Sequence, residues 1–284
     1  MHLLAPTEDR KVNPQRVRTD GAGRPCLRLL TSGGAPGFLL QDLRVLSVSD
    51  CPSSRKQAYN EGAMRFLIIL VAAAAAWAGT VKIVPKDTGF ELQRDGKPYY
   101  ILGAGGTARM ELLKQSGGNS VRTWSPPSRD VLDQCSKLGL TVLVGLEVGK
   151  PRHGFNYGDP AQVERQRARV RATVESLKSH PAVLMWALGN ETELLVGDAE
   201  RIALWKEIEQ LARIVRQEDP SRPVITVLAG LGKSKLKELE EHCPTIEAVG
   251  INAYGGMMQV PEQVAAQGWK RAYIVTEFGP RGHW

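Results

Sequence analysis

The sequence predicts a (β/α)8 barrel, and three observations carry that expectation. From residue 99 onward, short apolar runs alternate with amphipathic helical segments. The runs are nearly continuous rather than alternating, as parallel strands covered on both faces require. Seven such βα units follow one another with a regularity that suits one barrel better than two domains. An open doubly wound sheet is the alternative, and Gly103-Ala104-Gly105-Gly106-Thr107-Ala108 fits its G-x-G-x-x-A fingerprint. A dinucleotide site also wants an acidic residue about 20 positions on, at the end of the next strand. That strand ends Val121-Arg122-Thr123-Trp124, without a carboxylate.

The elements follow in order. "GFELQRDGKPYYILGAGG" reads as a hairpin with its turn at Asp95-Gly96. Strands are expected at 99–104, 120–124, 141–148, 182–188, 223–229, 248–254 and 272–278. Between them, "ARMELLKQSG", "SRDVLDQCSKLG", "PAQVERQRARVRATVESLKSH", "AERIALWKEIEQLARIVRQED", "LKELEEH" and "PEQVAAQGW" space their apolar residues as helices do. Gly118, Gly139 and Asp219-Pro220 mark helix ends. The chain stops at Trp284, just after the seventh strand, so the barrel is expected to lack its eighth βα unit.

Upstream of the barrel, "MRFLIILVAAAAAWAGT" begins at Met64. One Arg, an apolar run and Ala76-Trp77-Ala78 before Gly79 form the three-part pattern of a secretory leader. The run falls short of the roughly 20 residues that span a bilayer, so stable membrane insertion is not expected. Residues 1–63 lack sustained periodicity and are rich in Pro, Gly, Ser and Arg. Asn60-Glu61-Gly62-Ala63 requires codons whose centre reads GARGG, the core of a bacterial ribosome-binding site, just before the codon of Met64. Translation is therefore expected to start at Met64, in a bacterial gene, with a secreted or periplasmic product. A disordered extension is the alternative for residues 1–63.

The net charge is +7, but it is spread: residues 1–63 carry +3 and residues 79–284 carry +3. No basic block with interleaved aromatics marks a nucleic-acid groove. Arg165, Arg167, Arg169 and Arg171 make one helix basic and are read as a solvated outer face. Cys135 and Cys243 have no metal-ligand spacing and are not expected to pair. No metal, cofactor or protein partner is expected.

In a barrel the active site lies at the C-terminal ends of the strands. Those ends supply Arg122 and Trp124, Glu147, Asn190 and Glu191, Asn252 and Tyr254, and Glu277. Two carboxylates facing each other across the mouth are what glycoside hydrolysis needs: one acid protonates the leaving oxygen, and one carboxylate attacks carbon or activates water. Arg122 can keep a nearby carboxylate ionised. Tyr254 can donate a hydrogen bond to the nucleophile, Asn190 can hold a sugar hydroxyl, and Trp124 offers an apolar face to a pyranose. His153, Phe155 and Tyr157, in the loop "GKPRHGFNYGDP", are further candidates for touching substrate. Each has a plainer alternative, as a solvated loop residue or as rim packing. Asn190-Glu191-Thr192 is formally a glycosylation sequon, although a glycan there would block the cleft.

"HPAVLMWALGNE" (180–191), followed by "YIVTEFG" (273–279), resembles the catalytic barrel of family 2 glycoside hydrolases and their clan A relatives. The resemblance covers about residues 88–284 and includes the "DGKPYYILGAGG" approach. It implies that Glu191 is the acid/base and Glu277 the nucleophile. By the same motifs Asn190 matches the Asn before the acid, Arg122 in "GGNSVRTW" the second-strand Arg, and Tyr254 the aromatic donor of the sixth strand. The implied activity is retaining cleavage of β-O-glycosidic bonds in an oligo- or polysaccharide, by hydrolysis or transglycosylation. A non-catalytic carbohydrate-binding barrel is the alternative. The β-sandwich domains that usually precede a family 2 barrel are not in the sequence, which leaves the sugar open.

Overall fold

The computed structural model describes residues 79–232 and 234–280. The expected extension at 1–63 and the leader at 64–78 lie outside the described residues.

Strands β1 (Val81–Lys86), β2 (Gly89–Arg94) and β3 (Lys97–Pro98) form a small antiparallel sheet in the order β1-β2-β3. The expected turn at Asp95-Gly96 joins β2 to β3, with Asp95 and Gly96 both left-handed. Strand β1 was not expected. Pro85 interrupts its apolar pattern, and it is tolerated because β1 is an edge strand pairing only with β2.

Seven parallel strands follow: β4 (Gly103–Gly105), β5 (Ser120–Arg122), β6 (Thr141–Leu146), β7 (Val183–Leu188), β8 (Val224–Ala229), β9 (Ala248–Asn252) and β10 (Ala272–Glu277). Six helices fill the crossovers: α1 (Met110–Gln115), α2 (Arg129–Lys137), α3 (Pro160–Leu177), α4 (Asp198–Glu218), α5 (Lys235–His242) and α6 (Val260–Ala266). The sheet runs β10-β9-β8-β7-β6-β5-β4, so every strand lies beside its predecessor in sequence. A doubly wound sheet would reverse direction at a switch point. The unbroken order is that of a barrel and disposes of the dinucleotide-binding alternative. The first barrel strand is shorter than expected. Tyr99 N–H donates to the Leu92 carbonyl of β2 (2.8 Å) and Leu102 N–H to the Asn119 side chain (2.9 Å), and the stretch meets the main sheet at Leu102, whose carbonyl accepts from Ser120 N–H of β5 (3.3 Å).

Strands β6 and β7 are buried along their whole length. One set of side chains, including Val142, Val144, Trp186 and Leu188, packs in the large cluster that also holds Leu204, Ile208 and Leu211 of α4. The other set, Leu143, Leu184, Met185, Ala187, Ile225 and Val227, forms a second cluster joined by Ile83, Leu92, Tyr99 and Ile101 of the N-terminal segment.

The arginines of α3 divide. Arg167 pairs with Glu207 (2.6 Å) and Arg171 with Glu218 (2.6 Å), both carboxylates of α4. Half of the locally basic face is thus an inter-helix seam rather than a binding surface. Asp159 caps α3, accepting from Ala161 N–H (2.9 Å) and Gln162 N–H (3.3 Å) before Pro160. Cys135 and Cys243 are buried free thiols. No helix among the described residues is long and apolar enough to cross a membrane.

Candidate active site

The apolar run of β7 ends at Leu188, and the next three residues turn sharply. Gly189 has φ +70°, and a Cβ there would fall 2.3 Å from Thr192 Oγ1. Only glycine fits that position without a shift. Glu191 has φ +52°, a left-handed conformation that a non-glycine residue seldom takes. Its N–H donates to the Val227 carbonyl of β8 (2.9 Å), which fixes the turn against the neighbouring strand. The strand therefore ends in a built corner that carries Asn190 and Glu191 out of the sheet.

Glu277 is the last residue of β10, and the β9–β10 register slips between Val275 and Glu277. Such irregularities re-aim a side chain beside active sites. Three donors converge on its carboxylate. Arg122 Nη1 and Trp124 Nε1 (2.8 Å) donate to Oε1, and the Tyr254 hydroxyl donates to Oε2 (2.8 Å). Burial pushes the Glu277 carboxyl up. The hydrogen bonds from Trp124, Arg122 and Tyr254, with the charge of Arg122, outweigh it and hold the group below the ordinary carboxylate range. The same bond to Glu277 raises the Tyr254 phenol, so Tyr254 remains a donor.

The guanidinium of Arg122 serves both sides of the mouth. Its Nη2 donates to Asn190 Oδ1 (2.6 Å). Asn252 Nδ2 donates to the same oxygen (3.2 Å) and to Glu191 Oε1 (2.8 Å). Thr276 Oγ1 donates to Asn252 Oδ1 (2.8 Å), which fixes the orientation of that amide. Glu191 thus receives one neutral donor, where Glu277 receives three donors including a cation. Asn190 spends its oxygen on Arg122 and Asn252, and its Nδ2 has no partner among the described residues. That leaves the NH2 free to donate to a ligand oxygen. The sequon is structurally committed, with Asn190 anchored and Thr192 buried.

Arg122, Trp124, Asn190, Glu191, Tyr254 and Glu277 are therefore brought into one network. Trp124 differs from expectation in its role. Besides offering a half-exposed ring, it donates through its indole, and Gly105 leaves the space for that ring, since a Cβ there would meet it at 3.0 Å. His153 is exposed on the short 3-10 turn Pro151–His153, and its side chain makes no hydrogen bond among the described residues. Its neighbour Arg152 reaches the site instead, donating to the Glu191 carbonyl. Phe155 and Tyr157 pack edge to face with centroids 4.8 Å apart, and Tyr157 donates to the Gly149 carbonyl (2.5 Å). They staple their own loop, the packing role that was their plainer alternative. Glu147 is exposed. Asn252 and Arg152 had no assigned role in the sequence reading, because nothing local shows which carboxylate or carbonyl they reach. Among the described residues no group of three or more His, Cys, Asp or Glu is placed to hold a metal ion.

Comparison with known proteins places this geometry. The family described as "Glycosyl hydrolases family 2, TIM barrel domain" matches residues 107–281, more than half of the chain. The chain belongs to glycosyl hydrolase family 2. Within the family, residues of this chain are 33% identical over 118 positions to a β-galactosidase of Arthrobacter sp. (strain B7), covering 38% of this chain and 11% of that protein. They are 27% identical over 187 positions to a β-glucuronidase of Sus scrofa, covering 59% and 26%. Among solved structures, the β-D-glucuronidase from Dictyoglomus thermophilum superposes with a TM-score of 0.54 at 21% identity, over 70% of this chain and 39% of that one. The Bifidobacterium dentium β-glucuronidase gives 0.54 at 22% identity, over 70% and 36%. These structural likenesses show the shared barrel fold. The chain spans only about a tenth to two fifths of the length of these relatives.

Proposed function

We propose that this family 2 protein is a retaining glycosidase acting on β-O-glycosidic bonds of an oligo- or polysaccharide, with Glu277 as nucleophile and Glu191 as acid/base. The observation that carries the reading is the unequal treatment of the two carboxylates. Glu277 is held ionised by a cation and two further donors, and Glu191 meets one amide. Two carboxyls with divergent environments in one mouth are what double displacement uses.

In the first step a Glu277 oxygen bonds to the anomeric carbon as the bond from that carbon to the leaving oxygen breaks. The proton of Glu191 passes to that oxygen. In the second step Glu191 takes a proton from water, or from a sugar hydroxyl in transglycosylation. The new oxygen bonds to the anomeric carbon, and the Glu277 ester bond breaks with its electron pair returning to Glu277. Asn190 Nδ2 is free to hold a sugar hydroxyl through both steps, and Trp124 offers its exposed face. The relatives' names, β-galactosidase and β-glucuronidase, support a β-linked substrate. A purely sugar-binding barrel would have no use for a guanidinium, an indole and a phenol gathered on one carboxylate.

Azide tests the assignment. On a substrate with a good leaving group, Glu191→Ala spares glycosylation and slows deglycosylation, and azide restores turnover with a glycosyl azide of retained configuration. Glu277→Ala abolishes covalent trapping by a 2-fluorosugar, and azide then gives the inverted product. An inverted product from the wild type refutes the nucleophile role of Glu277.

We also propose export by the leader at residues 64–78, supported by its charged, apolar and small-residue parts. The mature chain then starts at Gly79 or within a residue or two of it. Intact-mass measurement of the native protein decides this, and an exported species retaining residues 1–63 refutes it.

A further inference from the structure

The turn after β7 stores backbone strain beside the chemistry. Three non-glycine residues among the described ones have a left-handed backbone, and two of them, Glu191 (φ +52°) and Leu195 (φ +61°), lie in this turn. Such conformations persist only where the surroundings hold them. Whatever holds the backbone of Glu191 also decides where its carboxyl sits.

Bonds on both sides of the Glu191 Cα fix that backbone. Its N–H donates to the Val227 carbonyl of β8 (2.9 Å). Its carbonyl accepts from Arg152 Nη1 and, at 3.3 Å, from Leu194 N–H. The same Nη1 lies 3.5 Å from the Leu194 carbonyl, so one guanidinium reaches the turn at two places. A charged donor holds a carbonyl more firmly than a neutral one. With N–H and carbonyl both held, φ and ψ of Glu191 are set, and with them the direction of its Cα–Cβ bond. That direction brings Glu191 Oε1 to Asn252 Nδ2 (2.8 Å). Without Arg152 the carbonyl would keep only the longer bond from Leu194, and the strained turn could relax by rotating the peptide after Glu191.

A clamp is only as firm as its own support, and the loop that carries Arg152 is well anchored. Gly149 N–H donates to Gln166 Oε1 of α3 (2.6 Å), and Asn156 N–H to Gln162 Oε1 of the same helix (3.2 Å). Gln166 is buried and donates through Nε2 to Glu207 of α4 (3.3 Å). The Lys150 carbonyl accepts from His153 N–H (2.8 Å) and Phe155 N–H (3.3 Å). The Phe155 ring covers Gly149 so closely that a Cβ there would lie 2.1 Å from it. The guanidinium is thus carried on an arm tied to the helices outside the sheet, and it ends on the residue that follows β7 and Asn190.

We propose that Arg152 is a positioning residue for the acid/base, clamping the strained backbone of Glu191 so that its carboxyl meets the leaving oxygen. The assignment rests on the glycosidase reading above. Arg152 touches carbonyls of the turn and makes or breaks no bond in the reaction. Its competing role is that of a plain loop staple. The two roles separate by substrate, because a displaced acid harms each substrate according to its need for a proton. A 2,4-dinitrophenolate departs readily as an anion, whereas a phenolate needs protonation as its bond breaks.

The test measures kcat/KM of the full chain on 2,4-dinitrophenyl and phenyl β-D-galactosides and on the corresponding pair of β-D-glucuronides. Arg152→Met keeps an extended side chain and loses the donors. It should leave the dinitrophenyl value within about twofold of wild type, since that leaving group needs little acid. It should lower the phenyl value about tenfold or more, within the roughly 10²-fold that a misplacement by an ångström can cost. Azide needs no base, so it should raise kcat of Arg152→Met on the dinitrophenyl substrate and leave the wild type unchanged. Arg152→Lys keeps a charged donor and should lose less on the phenyl substrate than Arg152→Met. A fall of equal size on both leaving groups is what loss of folded protein produces. That result, or an unchanged phenyl value, overturns the positioning role and leaves the glycosidase reading standing. Should Arg152→Met fail to fold, the same comparison of leaving groups in Arg152→Lys decides. A wild type that cleaves none of the four substrates overturns the glycosidase reading, and the role of Arg152 with it.

Discussion

Arg122 and Glu277 form an ion pair whose side chains are 6% and 14% exposed, at the ends of two strands far apart in the sheet order. Removing the cation leaves a largely buried carboxylate with Trp124 and Tyr254 as its donors among the described residues. Arg122→Gln keeps a donor and loses the charge. Its kcat/KM should fall by about 10²–10³, as for loss of one strong electrostatic contact in a site. The folded pKa of Glu277 is lowered in the wild type, so losing Arg122 raises it. The acid limb of the kcat/KM–pH profile should accordingly move to higher pH. An acid limb that stays put removes Glu277 from the ionisation that governs activity.

Asn252 gives Glu191 the single side-chain hydrogen bond it receives among the described residues. Asn252→Ala should cost up to about tenfold in kcat by loosening the acid/base, the equivalent of one neutral hydrogen bond of about 0.5–1.5 kcal/mol. Asn252→Asp places a second carboxylate beside Glu191. Like charges side by side are disfavoured, so the pH profile of this variant should differ from that of Asn252→Ala. The comparison of pH profiles for the two variants distinguishes lost positioning from altered charge.

Lys235 and Glu193 tie the turn after β7 to the segment after β8. Lys235 Nζ reaches Glu193 Oε1 (2.6 Å) and the Ala229 carbonyl (2.9 Å). Lys235→Met leaves the Glu193 carboxylate buried with one backbone donor. The expected destabilisation is about 2–4 kcal/mol, somewhat less than for a wholly buried pair because the lysine keeps some contact with water. Urea unfolding measures it. Activity should fall as well, because Glu191 belongs to the same turn.

Glu238 sets part of the acid stability. Arg201 donates to both of its oxygens (2.7 and 2.9 Å), Trp205 Nε1 and Ser234 Oγ add 2.8 Å bonds, and its carboxyl is lowered to about 2. In the unfolded chain the group titrates near its ordinary value of about 4.3. Its contribution is therefore fully present above that pH and is lost as pH falls toward about 2. Glu238→Gln should lower the Tm at pH 7, and the gap to wild type should close as pH falls through that window. A gap that widens on acidification would show the pair to be unimportant in the folded state.

Much of the fold was legible because burial on both faces writes itself as an unbroken apolar run, as in Val183–Leu188. The first barrel strand misled for a local reason. Tyr99–Leu102 is extended and apolar, but the Asn119 side chain stands in for a strand there, accepting from Leu102 N–H and donating to the Tyr100 carbonyl (2.7 Å). At the site, residue types at strand ends pointed to Glu191, Glu277, Arg122, Asn190 and Tyr254. The indole donor of Trp124, the bridge made by Asn252 and the reach of Arg152 were not legible. Each depends on the direction of a side chain across the mouth, which adjacency in sequence does not encode. His153 was a candidate in its loop, but the short helical turn leaves the imidazole exposed, while the neighbouring Arg152 guanidinium reaches the Glu191 carbonyl.

Arg122 and Glu277 are 155 residues apart, whereas each neighbouring strand pair in the sheet joins consecutive βα units. Strands β5 and β10 lie five places apart in the sheet, so their end residues touch only once the intervening strands have curled round. The pair is in effect a gauge of curvature. During refolding, helices and successive strand pairs can form from contacts close in sequence, while this long loop closes last. A population with full secondary structure and a flat sheet would hold both glutamates, correctly placed on their own strands, and still be inert. Recovery of fluorosugar trapping should therefore lag recovery of the far-ultraviolet circular dichroism signal, and the lag times the curling of the sheet.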